Sequence, residues 1–371
     1  MEISLCMIVR DEAQHLAKCL ESVRDAVDEI VILDTGSVDE TKEIARQFTD
    51  RVYDFVWQDH FAAARNAAFS YAQKPYLMWM DADDVLDESE KKKLIELRPV
   101  LNGSIDAVMM PYVCAVREDG TPAMVFDRER IVRREAGFRF EGAVHEAMSV
   151  SGNVIREDIA IRHTGQHSES SNRRNLRIYE RLIASGAEMT ARDWHYYARE
   201  LMTAQRHEEA EGVFARVIAQ KCWPVIRMDA LIQRAQCLMK LKRTDEARAQ
   251  LLCALAADTP SAQLLCTLGA CDMQAGRDAS AVLWYRAARL AEKEPAPGAF
   301  FYADYCDYIP SIQLCVLLDR MGRTKEAAME NERALIARPN DPTALKNRAY
   351  FAEKIGSLAF RNDAGHRLPE A

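Results

Sequence analysis

The sequence predicts two architectures in series: an α/β domain built on a largely parallel sheet, followed by an all-α run of paired helices. Three observations carry this. Up to His163, short β-branched or apolar runs alternate with amphipathic stretches, the two hydrophobic periods of strand and helix in turn. From Asn172 onward the strand signals vanish. In their place a phrase, Arg-x-x-x-Ala, recurs at Arg206, Arg243, Arg277 and Arg323. At 371 residues the chain has room for two or three domains, each with its own core.

In order, the first half reads as strand Ile3–Val9, helix Ala13–Asp25, strand Glu29–Asp34, helix Asp39–Phe48, strand Arg51–Phe55, helix Phe61–Ala72 and strand Tyr76–Met80. Ala107–Val116, Arg128–Arg133 and Ile159–His163 follow without long helices between them, so antiparallel additions to the sheet are expected there. In the second half the alanines of the phrase lie 37, 34 and 46 residues apart. Twelve residues before each is Ala198, Ala235, Gly269 or Cys315, and seven after is Val217, Ala254, Ala288 or Ala334. Small residues kept in phase let paired helices approach closely. The longest gap carries an insertion, Ala296–Tyr308, whose Phe300, Phe301, Tyr302, Tyr305 and Tyr308 are expected to pack rather than to line a groove. This phasing resembles the tetratricopeptide repeat over residues 189–341, which implies a stacked helical solenoid closed by Pro339 and capped by a helix over Pro342–Gly356.

Composition excludes several classes of function. Asp and Glu number 57 against 49 Lys and Arg, a net charge of -8, so net charge gives no attraction to a nucleic acid or an anionic membrane. No window approaches the eighteen apolar residues of a membrane span, and Met1-Glu2-Ile3-Ser4 lacks the features of a signal peptide. A cytoplasmic protein without a membrane span is expected. The ten cysteines include no Cys-x-x-Cys pair and are read as reduced, packed thiols.

The most informative segment is Met78-Trp79-Met80-Asp81-Ala82-Asp83-Asp84, where an apolar strand runs directly into carboxylates. Carboxylates at the carboxyl end of a strand sit on the edge where doubly wound sheets bind ligands, and their hard oxygens suit Mg²⁺ or Mn²⁺ shared with phosphates. Other strand ends supply company. Arg10 and Glu12 follow the first strand, Asp34 ends the second, and Arg65-Asn66 lies in the third helix. An acceptor, a cation and metal-binding carboxylates thus meet on one edge, the outline of a nucleotide-sugar pocket. A local cation would answer the anion that the acidic chain as a whole repels.

The order of these phrases resembles the family 2 glycosyltransferases of the nucleotide-diphosphosugar (GT-A) fold, a Rossmann-like mixed sheet, over residues 1–165. The resemblance implies that Asp34 reads the uracil ring, that Arg65 and Asn66 contact the nucleotide, and that Asp81, Ala82 and Asp83 meet ribose and metal. It further implies a general base in Phe138-Arg139-Phe140-Glu141-Gly142-Ala143-Val144-His145-Glu146, where Glu146 is preferred, His145 positions the acceptor or shares the role, and Glu141 is a rim carboxylate. His163 matches the histidine that related transferases bring to the metal, alongside Asp81 and Asp83; His167 has less support. Arg173, Arg174 and Arg177 read as a solvated helix face, and Trp57, Asp59 and His60 as sugar contacts or a helix cap.

The expected organisation is therefore a transferase domain over 1–165, a connecting helix over 166–188, a repeat domain over 189–358 and a tail over 359–371. The expected activity is inverting, metal-dependent transfer of a sugar, from a donor such as a UDP-hexose, with Mn²⁺ or Mg²⁺ as cofactor. The combination resembles enzymes that attach sugars to cysteine or serine of ribosomally made peptide bacteriocins, which implies a peptide or protein acceptor. A cell-envelope polysaccharide or lipid acceptor, and a non-catalytic repeat scaffold, are the alternatives. Both monomer and homodimer are compatible with the chain.

Overall fold

The computed structural model describes residues 1–165, 169–257, 260–291 and 300–355. His167, the 359–371 tail and residues 296–299 of the aromatic insertion lie outside them. The chain forms two compact units. One comprises Met1–Val116, Met124–Arg227 and Pro295–Phe300; the other comprises Arg117–Ala123, Met228–Glu294 and Phe301–Ala371.

The first unit carries a mixed sheet. Its elements are β1 (Ile3–Val9), α1 (Leu16–Val23), β2 (Glu29–Asp34), α2 (Thr41–Ala45), β3 (Val52–Asp54), α3 (Phe61–Tyr71), β4 (Tyr76–Trp79), β5 (Asp84–Val85), α4 (Glu88–Leu97), β6 (Ala107–Val116), β7 (Pro122–Arg133), β8 (Phe140–Glu141), β9 (Ala147–Met148), β10 (Val154–Arg156) and β11 (Ile161–His163). Strand order is β3-β2-β1-β4-β7-β6-β11-β5, with β10 also on β6 and β8 paired with β9 alone. The β3-β2-β1-β4 core is parallel. β7 joins β4 antiparallel as expected. β11 departs from expectation: it runs parallel to β6 and antiparallel only to the short β5.

β1 is apolar at nearly every position because both faces of the sheet are covered. Ile3, Leu5, Met7 and Val9 pack with Leu16 and Leu20 of α1 and Leu94 of α4. On the other face Cys6, Val31 and Leu33 pack with Ala64, Ala68 and Phe69 of α3. Helix α1 starts three residues later than its periodicity predicts. The backbone N–H groups of Asp11, Glu12 and Ala13 instead donate to Ser37, Thr41 and Asp39 side chains, which ties the β1–α1 loop to the β2–α2 loop. Helices α5 (Glu169–Ala184), α6 (Ala191–Thr203) and α7 (His207–Ala219) also belong to this unit. A reciprocal Thr190–Asp193 capping box starts α6.

The second unit holds most of α8 (Pro224–Lys240) together with α9 (Thr244–Ala257), α10 (Ala262–Gln274), α11 (Asp278–Ala288), α12 (Tyr308–Arg320), α13 (Thr324–Ala337) and α14 (Pro342–Ile355). The recurring arginine has a structural cause. Gln205, Lys242, Gly276 and Gly322 are left-handed, and the next residue, Arg206, Arg243, Arg277 or Arg323, donates its N–H to a carbonyl five residues back. That is the Schellman ending of one helix, with the arginine opening the next. Ala210, Ala247, Ala281 and Ala327 are all fully buried, as close helix pairing requires. At Gly269 an added Cβ would lie 2.8 Å from the Tyr285 ring, so this position needs its hydrogen. Within the insertion, Tyr302 packs edge-on against Tyr305 and Tyr308 lies under Arg338. All ten cysteines are free thiols. No described helix is long and apolar enough to cross a membrane.

Candidate active site

The strand order reverses at β1, which has β2 on one side and β4 on the other. Ligands of open α/β sheets bind beyond the strand ends at such a point. Register places the ends together: Val9 pairs with Asp34, and Cys6 with Trp79 one residue before Met80-Asp81.

Asp34 is buried, and its Oδ1 accepts the backbone N–H groups of Gly36 and Ser37, each at 2.9 Å. Lys42 Nζ stands 3.7 Å from the same oxygen. The other oxygen, Oδ2, is buried without a hydrogen-bond partner among the described residues. An unsatisfied buried carboxylate oxygen costs stability, which is reason to seek its partner in a ligand.

Arg65, on α3, is also buried and bridges two acids. Its Nε donates to Glu146 Oε1 at 2.5 Å and its Nη2 to Asp81 Oδ1 at 2.5 Å. The guanidinium lies over the Trp79 ring at 4.5 Å, while Nη1 has no partner among the described residues. Burial opposes the charge on Arg65, but the two carboxylates outweigh it and hold the group firmly protonated. Asp81 is correspondingly held below the usual carboxylate range: burial opposes ionisation, and Arg65 and Arg130 overcome it.

Asp83, Asp84 and His163 form the metal-capable group, each offering one ligand atom within 4.8 Å of the others. Asp84 thus stands where Asp81 was expected, because the antiparallel β5–β11 register sets His163 opposite Asp84 while Arg65 holds Asp81 aside. His163 Nδ1 lies 3.4 Å from Asp83, 3.7 Å from Asp84 and 3.1 Å from Tyr112 Oη. Hydrogen bonds to the two carboxylates push His163 up to about 10, the mark of a strongly negative pocket. Gly165 closes it: a Cβ there would sit 2.0 Å from Asp83 Oδ2. Two carboxylates and an imidazole around a space that tolerates no side chain fit a divalent cation.

The remaining expected residues are placed as follows. Glu12 is half-buried, and burial together with the nearby Asp83 and Asp81 charges raises its pKa despite the bond to His15. Arg10 is exposed and pairs with Asp11 at 3.7 Å. Ala82 is buried beside the acids. Asn66 gives both amide functions to the backbone of Phe140, so it clamps β8 rather than facing the pocket. His60 caps α3 through Ala63 N, and Trp57 donates to Asp59. Glu146 is buried on Arg65, and His145 reaches α6, where its Nε2 lies 2.8 Å from Glu200 Oε1.

Sequence reasoning missed Arg128 and Arg130 on β7. They lie over the Trp79 ring at 4.6 and 4.0 Å, and Arg130 pairs with Asp84 at 3.2 Å where both are fully buried. Alternating arginines on a strand that enters an acidic pocket are a legible signal only when that strand is known to lie next to β4.

Residues 4–110 match the family model described as glycosyl transferase family 2. The SPbeta prophage-derived glycosyltransferase SunS of Bacillus subtilis is 31% identical over 222 residues, covering 56% of this chain and 51% of that protein. A TPR repeat-containing protein of Synechococcus elongatus is 36% identical over 152 residues, 40% of this chain and 36% of that one. The lipopolysaccharide core biosynthesis glycosyltransferase LpsC of Rhizobium meliloti is 30% identical over 167 residues, 42% and 59% respectively. The chain spans about half the length of the first of these relatives. Over residues 4–110, then, the sheet-bearing N-terminal part is similar to glycosyl transferase family 2.

Proposed function

We propose that the protein is an inverting, metal-dependent glycosyltransferase that moves a sugar from a nucleotide diphosphate, such as a UDP-hexose, to a peptide or protein side chain. The single observation that supports it most is the gathering, beyond β1, β2 and β4, of two buried atoms without partners among the described residues, Asp34 Oδ2 and Arg65 Nη1, with the Asp83–Asp84–His163 cluster. Asp34 Oδ2 accepts an N–H of the base. Arg65 Nη1 donates to an oxygen of the donor. Asp83, Asp84 and His163 would hold Mn²⁺ or Mg²⁺, which when bound supplies the positive charge that a diphosphate leaving group needs.

In the transfer an acceptor heteroatom forms a bond to the anomeric carbon as the bond to the diphosphate oxygen breaks, and the acceptor's proton passes to a base. Displacement from the opposite face inverts the centre. We assign that proton to Glu146, with His145 positioning the acceptor or sharing the role. Arg65 Nε donates to Glu146 Oε1 at 2.5 Å, which fixes that carboxylate in one orientation.

The peptide acceptor is supported by the helix-pair repeats, since stacked pairs provide long surfaces for extended chains. A lipopolysaccharide or other envelope acceptor is the second reading, favoured by the similarity to LpsC. Mass spectrometry of candidate peptides and of envelope saccharides, each incubated with enzyme, Mn²⁺ and UDP-hexoses, separates the two. Hexose on a peptide is expected; hexose on saccharide or lipid alone would sink the peptide acceptor. Glu146→Gln is expected to keep nucleotide binding and lose transfer, and wild-type transfer in that variant would move the base to His145.

A further inference from the structure

The loop that carries His145 and Glu146 is held by helices that sequence periodicity assigns to the repeat half. His145 has left-handed backbone, φ 52°. A non-glycine residue keeps that conformation only where its surroundings impose it. Three contacts from α6 do so. Tyr196 stacks on the imidazole at 4.3 Å and 17°, Arg192 Nη2 donates to the His145 carbonyl at 3.1 Å, and Glu200 Oε1 lies 2.8 Å from Nε2. Residues 192, 196 and 200 recur every four positions and form one stripe of α6. Ala198, the small residue of the repeat phrase, sits about 200° round the helix from Tyr196 and is fully buried. One helix therefore serves two purposes on two faces.

Helix α5 completes the grip. Asn175 Nδ2 donates to the same Glu200 oxygen at 3.1 Å, Arg174 donates to Asn175 Oδ1 at 3.2 Å, and Tyr179 Oη donates to the carbonyl of Val144 at 3.3 Å. Glu200 is itself buried, so its carboxylate is fixed by these partners rather than by water.

We infer that Glu200 is a positioning residue for the transfer reaction, which holds the His145 imidazole in one orientation and one tautomer. A carboxylate only accepts, so the hydrogen lies on Nε2, and in the neutral ring Nδ1 is left as the only acceptor. A carboxylate behind a histidine acts this way at metal sites, where losing it costs about 10–100-fold. Glu200 thereby makes the first helix of the repeat series part of the machinery that readies the acceptor. The inference rests on the transfer reaction proposed above, and its test separates the two.

Side-chain ¹⁵N NMR of the full chain reads the tautomer directly, without turnover. The Nε2–H form is expected in wild type and its loss in the similarly sized Glu200→Leu, which has no acceptor; a mixed tautomer in wild type, or no change in the variant, overturns the positioning. Kinetics read the consequence. Glu200→Leu is expected to lower kcat about 10-fold or more with donor KM and UDP–Mn²⁺ thermal shift unchanged. The double variant with His145→Ala is expected to be no slower than His145→Ala alone. Wild-type kcat in Glu200→Leu, or losses that multiply in the double variant, overturns the role in transfer. Absence of UDP–Mn²⁺ binding and of turnover in wild type would instead refute the transferase reading, with the tautomer result still deciding the Glu200–His145 pairing.

Discussion

Two buried aspartates, one in each compact unit, show what separates a structural acid from a binding one. In the helical unit, Asp272 accepts at Oδ1 from Arg248 and Arg277, at 2.7 and 2.6 Å, and at Oδ2 from Ser280 and Trp284, at 2.6 and 2.9 Å. In the sheet unit, Asp34 has one oxygen satisfied by two backbone N–H groups and the other left bare. Both are buried to the same degree. A complete set of donors locks a fold; an incomplete one marks where a ligand supplies the rest.

Substitutions should divide along the same line, and the largest effect is expected in the helical unit. Asp272→Ala removes the buried acid shared by Arg248 and Arg277 and should cost about 3–5 kcal/mol of stability, read by urea unfolding followed in helical circular dichroism. The thermal shift on adding UDP and Mn²⁺ should survive in protein still folded. If Asp272→Ala unfolds no more easily than wild type, the satisfied network does not lock that unit.

Next, Asp83→Asn should cut transfer about 10²–10³-fold, as losing one electrostatic stabiliser does, while melting stays near wild type. Chelation of divalent cations should mimic it. Undiminished transfer in the variant would remove Asp83 from the metal site. Asp34→Asn should be milder: it keeps an oxygen for Gly36 and Ser37 but turns the bare acceptor into a donor. Donor KM should rise about 10–100-fold with stability near wild type, because both backbone hydrogen bonds are kept and only the long 3.7 Å pairing with Lys42 is lost. A fall in stability without a change in KM would make Asp34 a structural acid like Asp272.

The smallest effect follows from pH. Burial opposes the charge on Asp272, but its hydrogen-bond donors outweigh burial and pull it down to about 2. Folding therefore gains from its ionised form above the unfolded carboxylate range, roughly pH 4, and loses that gain as pH falls toward 2. The difference in urea midpoint between wild type and Asp272→Asn should shrink from pH 5 to pH 2.5. A constant difference would mean that charge plays no part in holding the four donors.

Some of this was legible in the sequence for local reasons. β1, β2 and β6 run over the predicted spans because their apolar patterns are uninterrupted. The repeat phrase is local too, since a Schellman ending and a buried alanine are fixed by neighbours within a few residues. Helix α4 escaped the sequence reading because Glu88–Leu97 buries only Leu94 and Leu97. The start of α1 was misjudged because distant side chains satisfy its loop.

By itself, then, the sequence determined the two architectures, the phase of the helix pairs and the strand ends that bear Asp34, Asp81 and Asp83. Each depends on hydrophobic period or on residues adjacent in the chain. Only the tertiary structure decided that Arg65 joins Asp81 to Glu146, that Asp84 stands with Asp83 and His163, and that α6 delivers Glu200 to His145. Apart from the neighbours Asp83 and Asp84, those pairings join residues 16 to 81 positions apart, and no local periodicity records which charge meets which. Burial makes each charge require a partner; the register of the strands and the face of the helix select it.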